Sequence, residues 1–232
     1  MTSSRTKDRH YLGPNLVLRR YMTFARFAHL LLTKNLFLAR LSEMDDPWEG
    51  AFPRLTLERL NAADGGTTSQ GEMSKAVRLR TFVNCWHASR IESMAMWDRY
   101  ASTDAGVCVV STAQRLVNAL LDPHDSIRIG RVQYIDFEHL DVDDNAGVGL
   151  LKPIPYAYER EVRLIRVDLP STPTTEEPGY SVTIDPSAMI TSIVLSPRTR
   201  DWELTAAKKL TESSIARAIP VTRSQILTPP WI

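Results

Sequence analysis

The chain has 232 residues, of which 43% are hydrophobic and 24% charged, and its formal net charge is +1. This composition is typical of a soluble globular protein that is long enough to bury a substantial core. The near-neutral charge excludes a protein that binds nucleic acid by overall phosphate neutralisation, although a local basic groove is compatible with it. Because no Gly/Ser-rich or Pro-rich linker divides the sequence, we expect a flexible segment over residues 1–14 and a single domain over residues 15–232.

The sequence lacks the apolar segments that target a chain to a membrane. Its first ten residues are polar and charged, unlike a secretory signal. The longest apolar run, residues 27–38, contains His29, Lys34 and Asn35 and is too short to cross a bilayer. We therefore expect a cytoplasmic protein without membrane contact, in which Cys85 and Cys108 are reduced thiols.

Apolar patterning along the chain predicts short strands interleaved with short helices. Alternation predicts strands, and helical spacing after a capping Thr or Asp predicts helices. The predicted strands are 15–21, 36–40, 81–86, 106–111, 127–134, 156–167, 180–184, 190–195 and 220–227, and the predicted helices are 23–32, 92–100, 112–121 and 202–218. The pattern is weak over residues 51–75, and residues 64–68 are expected to form a mobile loop. This irregular order predicts an α+β fold with a mainly antiparallel central sheet and flanking helices.

The most informative stretch is the corner at residues 85–100, which contains two of the five tryptophans. Trp97 and Tyr100 lie three residues apart on the predicted helix, where they either pack in the core or stack a planar ring. His87 is either a hydrogen-bonded structural histidine or, with Cys85, the start of a metal site. The corner is thus either a packing element or the floor of a pocket.

The segment Glu159-Arg160-Glu161-Val162-Arg163 places charged groups at alternate positions of a predicted strand. In an extended chain Glu159, Glu161 and Arg163 share one face. In a cleft, the like charges and burial would raise the pKa of one carboxyl group while Arg163 keeps the other ionised. The alternative is a solvated strand face bridged by Arg163.

Two further groups have both a functional and a structural interpretation. Arg20 and Tyr21 end the first strand, where the guanidinium can either clamp a diphosphate or pair with an acid at the surface. Asp45, Asp46 and Glu49 can hold magnesium, although Asp46 more simply caps the turn that begins at Pro47.

The order of these motifs resembles a widespread bacterial domain family of unknown function. The shared features are Arg20-Tyr21, the loop Asp45-Asp46-Pro47-Trp48-Glu49-Gly50, Cys85-Trp86-His87, Met96-Trp97-Asp98-Arg99-Tyr100 and Glu159-Arg160-Glu161-Val162-Arg163. The family has Asn where this chain has Asp45. The same order distantly resembles the ADP-ribosyltransferase superfamily, which also places an Arg or His on the first strand and a Glu-x-Glu on a late strand.

The superfamily resemblance implies an ADP-ribosyltransferase-like fold and NAD as substrate. It implies catalytic roles for Glu161, Glu159 and His87: Glu161 would stabilise an oxocarbenium-like transition state and His87 would touch the nicotinamide ribose. It also implies that Arg20, Tyr21, Trp97, Tyr100 and Arg163 bind the dinucleotide. No metal is expected.

Three hypotheses follow for function. The first is an NAD-dependent ADP-ribosyltransferase-like enzyme, a bacterial toxin or phage-defence factor that modifies protein or nucleic acid. The second is a non-catalytic module of a defence or stress system that binds a partner or a nucleotide-type small molecule. The third is a metal-dependent hydrolase or nuclease that uses Asp45, Asp46 and Glu49.

Overall fold

The structure is a computed structural model that describes residues 12–63, 70–101, 105–121, 127–142, 147–168 and 177–230. The predicted mobile loop at 64–68 and most of the segment 1–14 lie outside these residues. No helix in the described ranges is long and apolar enough to cross a membrane.

The described elements are short strands and helices. The strands are β1 Val17–Thr23, β2 Asn35–Arg40, β3 Thr81–Ala88, β4 Gly106–Thr112, β5 Arg128–Arg131, β6 Gln133–Ile135, β7 Leu151–Pro153, β8 Glu161–Val167, β9 Gly179–Thr183, β10 Ser192–Leu195 and β11 Val221–Arg223. The helices are α1 Phe24–Thr33, α2 Arg54–Ala63, α3 Gln70–Arg80, α4 Met94–Tyr100, α5 Ala113–Asn118, α6 Pro186–Met189 and α7 Asp201–Ser214, and 3₁₀ helices cover Leu41–Glu43, Val148–Leu150 and Ile154–Glu159.

Nine of these strands form one sheet. Its order is β11-β10-β4-β1-β3-β2-β9, and β8 also pairs with β3 and carries β5, so the sheet branches at β3. Every pairing in this sheet is antiparallel except that of β10 with β11. The fold is therefore α+β with a mainly antiparallel central sheet and helices, as the sequence predicts.

The two faces of the sheet differ in chemistry. One face, with Leu18, Trp86 and Val162, packs against Phe27 of α1 and Ala207 of α7 in the largest apolar cluster. Successive strand residues point to opposite faces, so Cys85, His87, Glu161 and Arg163 project from the other one.

The pairing between β1 and β3 is short. These strands pair only at Leu18 with Ala88 and at Arg19 with His87, whereas β1 pairs with β4 at seven positions. Beyond Arg19 the backbone pairing of β1 with β3 ends. The next contact between the two strands is made by the Arg20 side chain, whose Nη1 donates a hydrogen bond to the Cys85 carbonyl at 2.9 Å. The end of this short pairing opens a cleft between the two strands.

Several predicted boundaries are wrong. Helices α2 and α3 occupy the stretch where the pattern was weak, and the predicted strand 127–134 is divided into β5 and β6 at Val132. The predicted strand 156–167 begins only at Glu161, because Ile154–Glu159 is a 3₁₀ helix with Pro155 in its first turn. Arg160, with φ 43°, turns the chain from that helix into β8.

Candidate active site

A cleft of about 330 Å³ opens beside the end of the β1–β3 pairing. Arg20, His87, Tyr100 and Glu161 all line it, although they lie on four separate elements. Its size is at the lower end of the usual range for small-molecule sites. The distant segments singled out in the sequence therefore meet at one cavity.

The cleft is built on a buried ion cluster that consists of Glu49, Glu159, Glu161, Lys152 and Arg163. Protein groups accept hydrogen bonds from every donor of Arg163. Its guanidinium is 0% exposed. Nε and Nη2 donate to Glu161 at 2.8 and 3.1 Å, Nη1 and Nη2 donate to Glu49 at 2.8 and 2.7 Å, and Nη1 also donates to the Gly149 carbonyl at 2.6 Å. These contacts use all five guanidinium donors. Arg163, predicted to bind the dinucleotide, is thus fully engaged with protein groups and we assign it no ligand contact.

Lys152 on β7 is the second cation of the cluster, and the motifs did not point to it. Its ammonium lies 2.6 Å from Glu159, 3.2 Å from Glu161 and 3.3 Å from Glu49. Burial opposes its charge, but the three carboxylates hold the pKa of Lys152 above its ordinary value. Counting three carboxylates and two cations, the cluster carries a net charge of −1.

The prediction that Glu159, Glu161 and Arg163 share one strand face is wrong for Glu159. Glu159 ends the 3₁₀ helix and does not lie on β8. It is linked to Glu161 by Lys152, which contacts both carboxylates. The solvated alternative is also excluded, since Glu159 and Glu161 are only 2% and 5% exposed. The network forms from three separate segments because each buried carboxylate requires a cation.

Glu161 is a fixed negative charge at the cleft. Burial raises the pKa of its carboxyl group, but Arg163 and Lys152 outweigh that effect and lower the pKa to about 2. Arg163 keeps Glu161 ionised, as expected from the sequence. A carboxylate with this pKa is a poor proton acceptor near neutral pH, and it is suited to stabilising positive charge.

Glu159 keeps more room to accept hydrogen bonds. Its Oε1 accepts one bond from the Tyr100 hydroxyl at 2.8 Å, and its Oε2 accepts one from Lys152 at 2.6 Å. Each carboxylate oxygen has two lone pairs, so one remains on each oxygen of Glu159. Glu159 lines the cleft and can accept hydrogen bonds from ligand hydroxyl groups.

Tyr100 and Arg99 of α4 lie beside Glu159 at the mouth of the cleft. Burial, and then the charge of Glu159, raise the pKa of Tyr100, so the phenol remains protonated and donates to Glu159. Arg99 donates to the Tyr100 hydroxyl from Nε at 3.1 Å. The Tyr100 side chain is 37% exposed, which leaves part of the ring accessible to a ligand.

Arg20 brings positive charge to the cleft from β1. It is half-buried, and burial lowers its pKa to about 10, so it is still protonated at neutral pH. Within the described part of the chain no carboxylate forms a salt bridge with it, and its Nη1 donates to the Cys85 carbonyl. A guanidinium in this situation is suited to binding an anionic group of a ligand.

His87 is held in one tautomer at the cleft floor. Its Nδ1 lies 2.6 Å from the carbonyl oxygen of Glu159. A carbonyl only accepts, so Nδ1 carries the proton and Nε2 of the neutral ring carries a lone pair. Burial lowers the pKa of His87, which favours that neutral form. The structural interpretation of His87 therefore holds, and its ring also lines the cleft.

Two predicted dinucleotide contacts instead have core positions. Trp97 is 3% exposed, donates from its indole to Glu92 at 3.0 Å and packs edge-on to Tyr21 with ring centroids 4.9 Å apart. Tyr21 is 6% exposed, although it touches the cleft, and its hydroxyl accepts a hydrogen bond from the Ser93 amide. Both rings support the wall, and we place neither against a ligand.

Two acids of the loop at residues 45–50, called the acidic loop below, bind protein groups. Asp46 accepts a hydrogen bond from the Trp48 amide at 3.0 Å, as expected for a residue that caps this turn. Glu49 is bound by Arg163 and is not free to ligate a metal. Burial raises the pKa of Cys85 well above its ordinary value, which disfavours the thiolate that zinc requires. Within the described ranges no group of His, Cys, Asp and Glu side chains is arranged to hold a metal ion.

The cleft is lined by side chains of both charges. Arg19, Arg20 and Arg26 come from β1 and α1, and Lys152 and Arg99 lie beside Glu159. The acidic side chains that line it are Glu43, Asp45, Asp46, Glu49, Glu159 and Glu161. Such a cleft suits a ligand that carries a negative group together with a positive or hydroxyl-rich group.

The fold and the cleft together define an α+β protein with a polar, charged cleft at the branch of an antiparallel sheet. DarT from Thermus sp. 2.9 in complex with NAD+ is similar, with a TM-score of 0.43, 11% identity and coverage of 93% of this chain and 98% of that chain. The same DarT in complex with carba-NAD+ has a TM-score of 0.39, 12% identity and coverage of 92% and 96%. No family model and no curated protein matches the chain. Similarity at this level transfers no activity.

Proposed function

We propose that the cleft binds NAD+ and that the protein is an ADP-ribosyltransferase-like enzyme. The observation that supports this most directly is that Arg20, from β1, and an ionised Glu161, from β8, line one cleft. NAD+ has the matching polarity, with an anionic diphosphate and a cationic nicotinamide ring. In this proposal Arg20 binds the diphosphate, and the nicotinamide ribose lies beside Glu159, Glu161 and His87.

The chemistry follows from where charge develops. The bond between nicotinamide and ribose C1′ breaks, its electron pair returns to the nicotinamide nitrogen, and neutral nicotinamide leaves. Positive charge then develops on the ribose, and a fixed carboxylate at that point lowers the barrier. An acceptor nucleophile supplies the electron pair of the new bond to C1′.

Each carboxylate has a separate role in this proposal. Glu161, held ionised by two cations, stabilises the oxocarbenium-like transition state. Glu159 accepts hydrogen bonds from the ribose hydroxyl groups, and Tyr100 orients it. If the acceptor is a host protein or nucleic acid, the protein would act as a toxin or defence factor.

Nicotinamide release from NAD+ tests the proposal. We expect the wild-type chain to release nicotinamide and Glu161→Gln to lose about 10²- to 10³-fold of that rate, the usual cost of removing one preorganised electrostatic group. Glu58→Gln is the control, because it removes an acid from an exposed ion pair with Arg54. No release by wild type at millimolar NAD+ would refute the enzyme, and equal rates for wild type and Glu161→Gln would refute the role of Glu161.

A binding module without catalysis is the second candidate. The saturation of Arg163 by Glu49 and Glu161 supports it, because this ion pair is also a sufficient structural reason for both acids. A binding module would retain ligand affinity in Glu161→Gln and would show no turnover in wild type. The same assay, combined with a binding measurement, separates the two candidates.

A further inference from the structure

We propose that Lys152 is a positioning residue that acts through Glu159. This inference rests on the proposed function, since it assigns Lys152 to the orientation of a carboxylate that faces the ligand. It concerns a residue of β7 that lines the cleft and contacts Glu159.

The two buried cations, Arg163 and Lys152, differ in the carboxylates that they bind. Arg163 binds Glu49 and Glu161 but makes no hydrogen bond to Glu159. The shortest contact of Lys152, 2.6 Å, is to Glu159 Oε2. Arg99 is the other cation near Glu159, at 3.7 Å, and its side chain is 49% exposed. Lys152 is therefore the buried counter-ion of Glu159.

Glu159 needs this counter-ion because of its position in the chain. It ends a 3₁₀ helix and precedes Arg160, which has a positive φ, so it is not held by regular sheet pairing. Two side-chain hydrogen bonds hold the carboxylate, one on each oxygen: the Tyr100 hydroxyl on Oε1 and Lys152 on Oε2. Without Lys152, Glu49 and Glu161 would keep Arg163, but Glu159 would lose its buried counter-ion and would turn away from its present position.

A lysine suits this place better than an arginine. The three carboxylates lie around one point at 2.6 to 3.3 Å, which fits the three donors of a compact ammonium. The ammonium also lies 5.1 Å from the centre of the Tyr156 ring. The titratable and charged groups around it are Glu49, Glu159, Glu161, Arg163, Tyr156, Tyr134, Tyr100 and Arg99.

A double-mutant cycle between Lys152→Met and Glu159→Gln tests the proposal. Lys152→Met leaves the cluster at −2 and is expected to lose at least about 30-fold of nicotinamide release, with the acidic limb of its pH profile moved to higher pH. The double variant restores the net charge of −1, so it should fold. In the Glu159→Gln background Lys152→Met should lose clearly less of the rate than it does in the wild-type background, and the remaining loss reflects the contact of Lys152 with Glu161. Lys208→Met, an exposed lysine on α7, is the control for the substitution itself.

The outcomes separate this inference from the proposed function. Losses that multiply in the double variant would overturn the inference while leaving the enzyme intact. If wild type releases no nicotinamide, the proposed function fails, and the inference is then tested by thermal unfolding of the same four proteins. In that measurement the double variant should be more stable than Lys152→Met. A double variant that is equally stable or less stable would show that Lys152 does not act through Glu159.

Discussion

Glu161 lies in an environment unlike that of an ordinary surface acid. It is 5% exposed and lies within 3.2 Å of both an ammonium and a guanidinium. Burial opposes its charge, and the two cations outweigh burial and lower the pKa of its carboxyl group. A sequence motif with alternating acids cannot show this, because Lys152 and Glu49 come from other segments.

The lowered pKa of Glu161 makes a prediction about acid stability. Its ordinary value is 4.5 and its value in the folded protein is about 2. A group with a depressed folded-state pKa contributes stability above the unfolded value, and that contribution is lost as the pH falls through the folded one. We therefore expect the wild-type free energy of unfolding to fall between pH 4.5 and pH 2.

Urea unfolding at several pH values measures this effect. Glu161→Gln cannot ionise, so its unfolding free energy should fall less than that of wild type across the same window. Asp201→Asn is a control, because that side chain is 95% exposed. Parallel pH curves for wild type and Glu161→Gln would contradict the assignment of the charge to Glu161.

At the scale of elements, the acidic loop before α2 determines where Glu49 lies. Gly50 ends this loop with φ +73°, and an added Cβ would lie 2.8 Å from Cγ of Arg78. The Arg78 guanidinium donates to the carbonyls of Leu41 and Met44, which ties α3 to the same loop. Glu49 therefore depends on a backbone conformation that favours glycine.

Gly50→Ala is expected to destabilise the protein by about 1–2 kcal/mol, because the left-handed conformation is costly for any residue with a Cβ. It should also reduce nicotinamide release, since movement of Glu49 disturbs Arg163 and Glu161. Denaturant unfolding and the release assay measure the two effects. Gly13→Ala is the matched control, since nothing lies within 4 Å of its added Cβ. Equal behaviour of both variants would show that the loop does not support the site.

The sequence predicted short apolar strands well and the segments between them poorly. The apolar runs in β3 and β4 have few alternative structures, so their positions were predicted within one or two residues. Helix α3 has no buried residue among those described, and its weak amphipathic pattern gave no signal. Residues 156–159 were predicted as the start of a strand, but the ion cluster and Pro155 favour the 3₁₀ helix there. Long-range ion pairing outweighed the local pattern there.

The candidate site was predictable as a set of motifs but not as a network. Arg20, His87, Tyr100 and Glu161 stand out in the sequence, and they line one cleft. Lys152 is a single lysine among the apolar residues Leu150, Leu151 and Ile154, and that isolation is the signal that could have revealed it. Core packing of Trp97 was one of the two alternatives that the sequence offered, and helical spacing could not decide between them because it does not show which face of α4 meets the sheet.

For the whole molecule, the cleft lies where two parts of the branched sheet meet. One part contains β11, β10, β4 and β1, the other contains β3, β2, β9, β8 and β5, and two residue pairs join β1 to β3. Arg20 belongs to the first part and Glu161 to the second. A ligand that contacts both would bridge the junction and stabilise the folded protein, by an amount that rises with the logarithm of its concentration above the Kd.

The charge pattern of the cleft predicts a preference for the oxidised dinucleotide. NADH differs from NAD+ mainly by the loss of the positive charge on the nicotinamide ring. Two unit charges about 4 Å apart near a protein surface interact by about 4 kcal/mol, so even a fraction of this interaction distinguishes the two forms. The cluster charge of −1 should therefore favour NAD+ over NADH by at least about tenfold.

Calorimetric titration of the full chain with NAD+ and NADH, repeated with Arg20→Met, tests the account most directly. We expect wild type to bind NAD+ at least about tenfold more tightly than NADH. Arg20→Met should weaken both by at least about tenfold while keeping the free energy of unfolding within about 1 kcal/mol of wild type, since one hydrogen bond to a carbonyl is lost and a half-buried cation without a salt bridge among the described residues is removed. Equal NAD+ affinity for wild type and Arg20→Met would contradict the assignment of Arg20 to the diphosphate, and no heat with millimolar NAD+ would contradict a dinucleotide cleft.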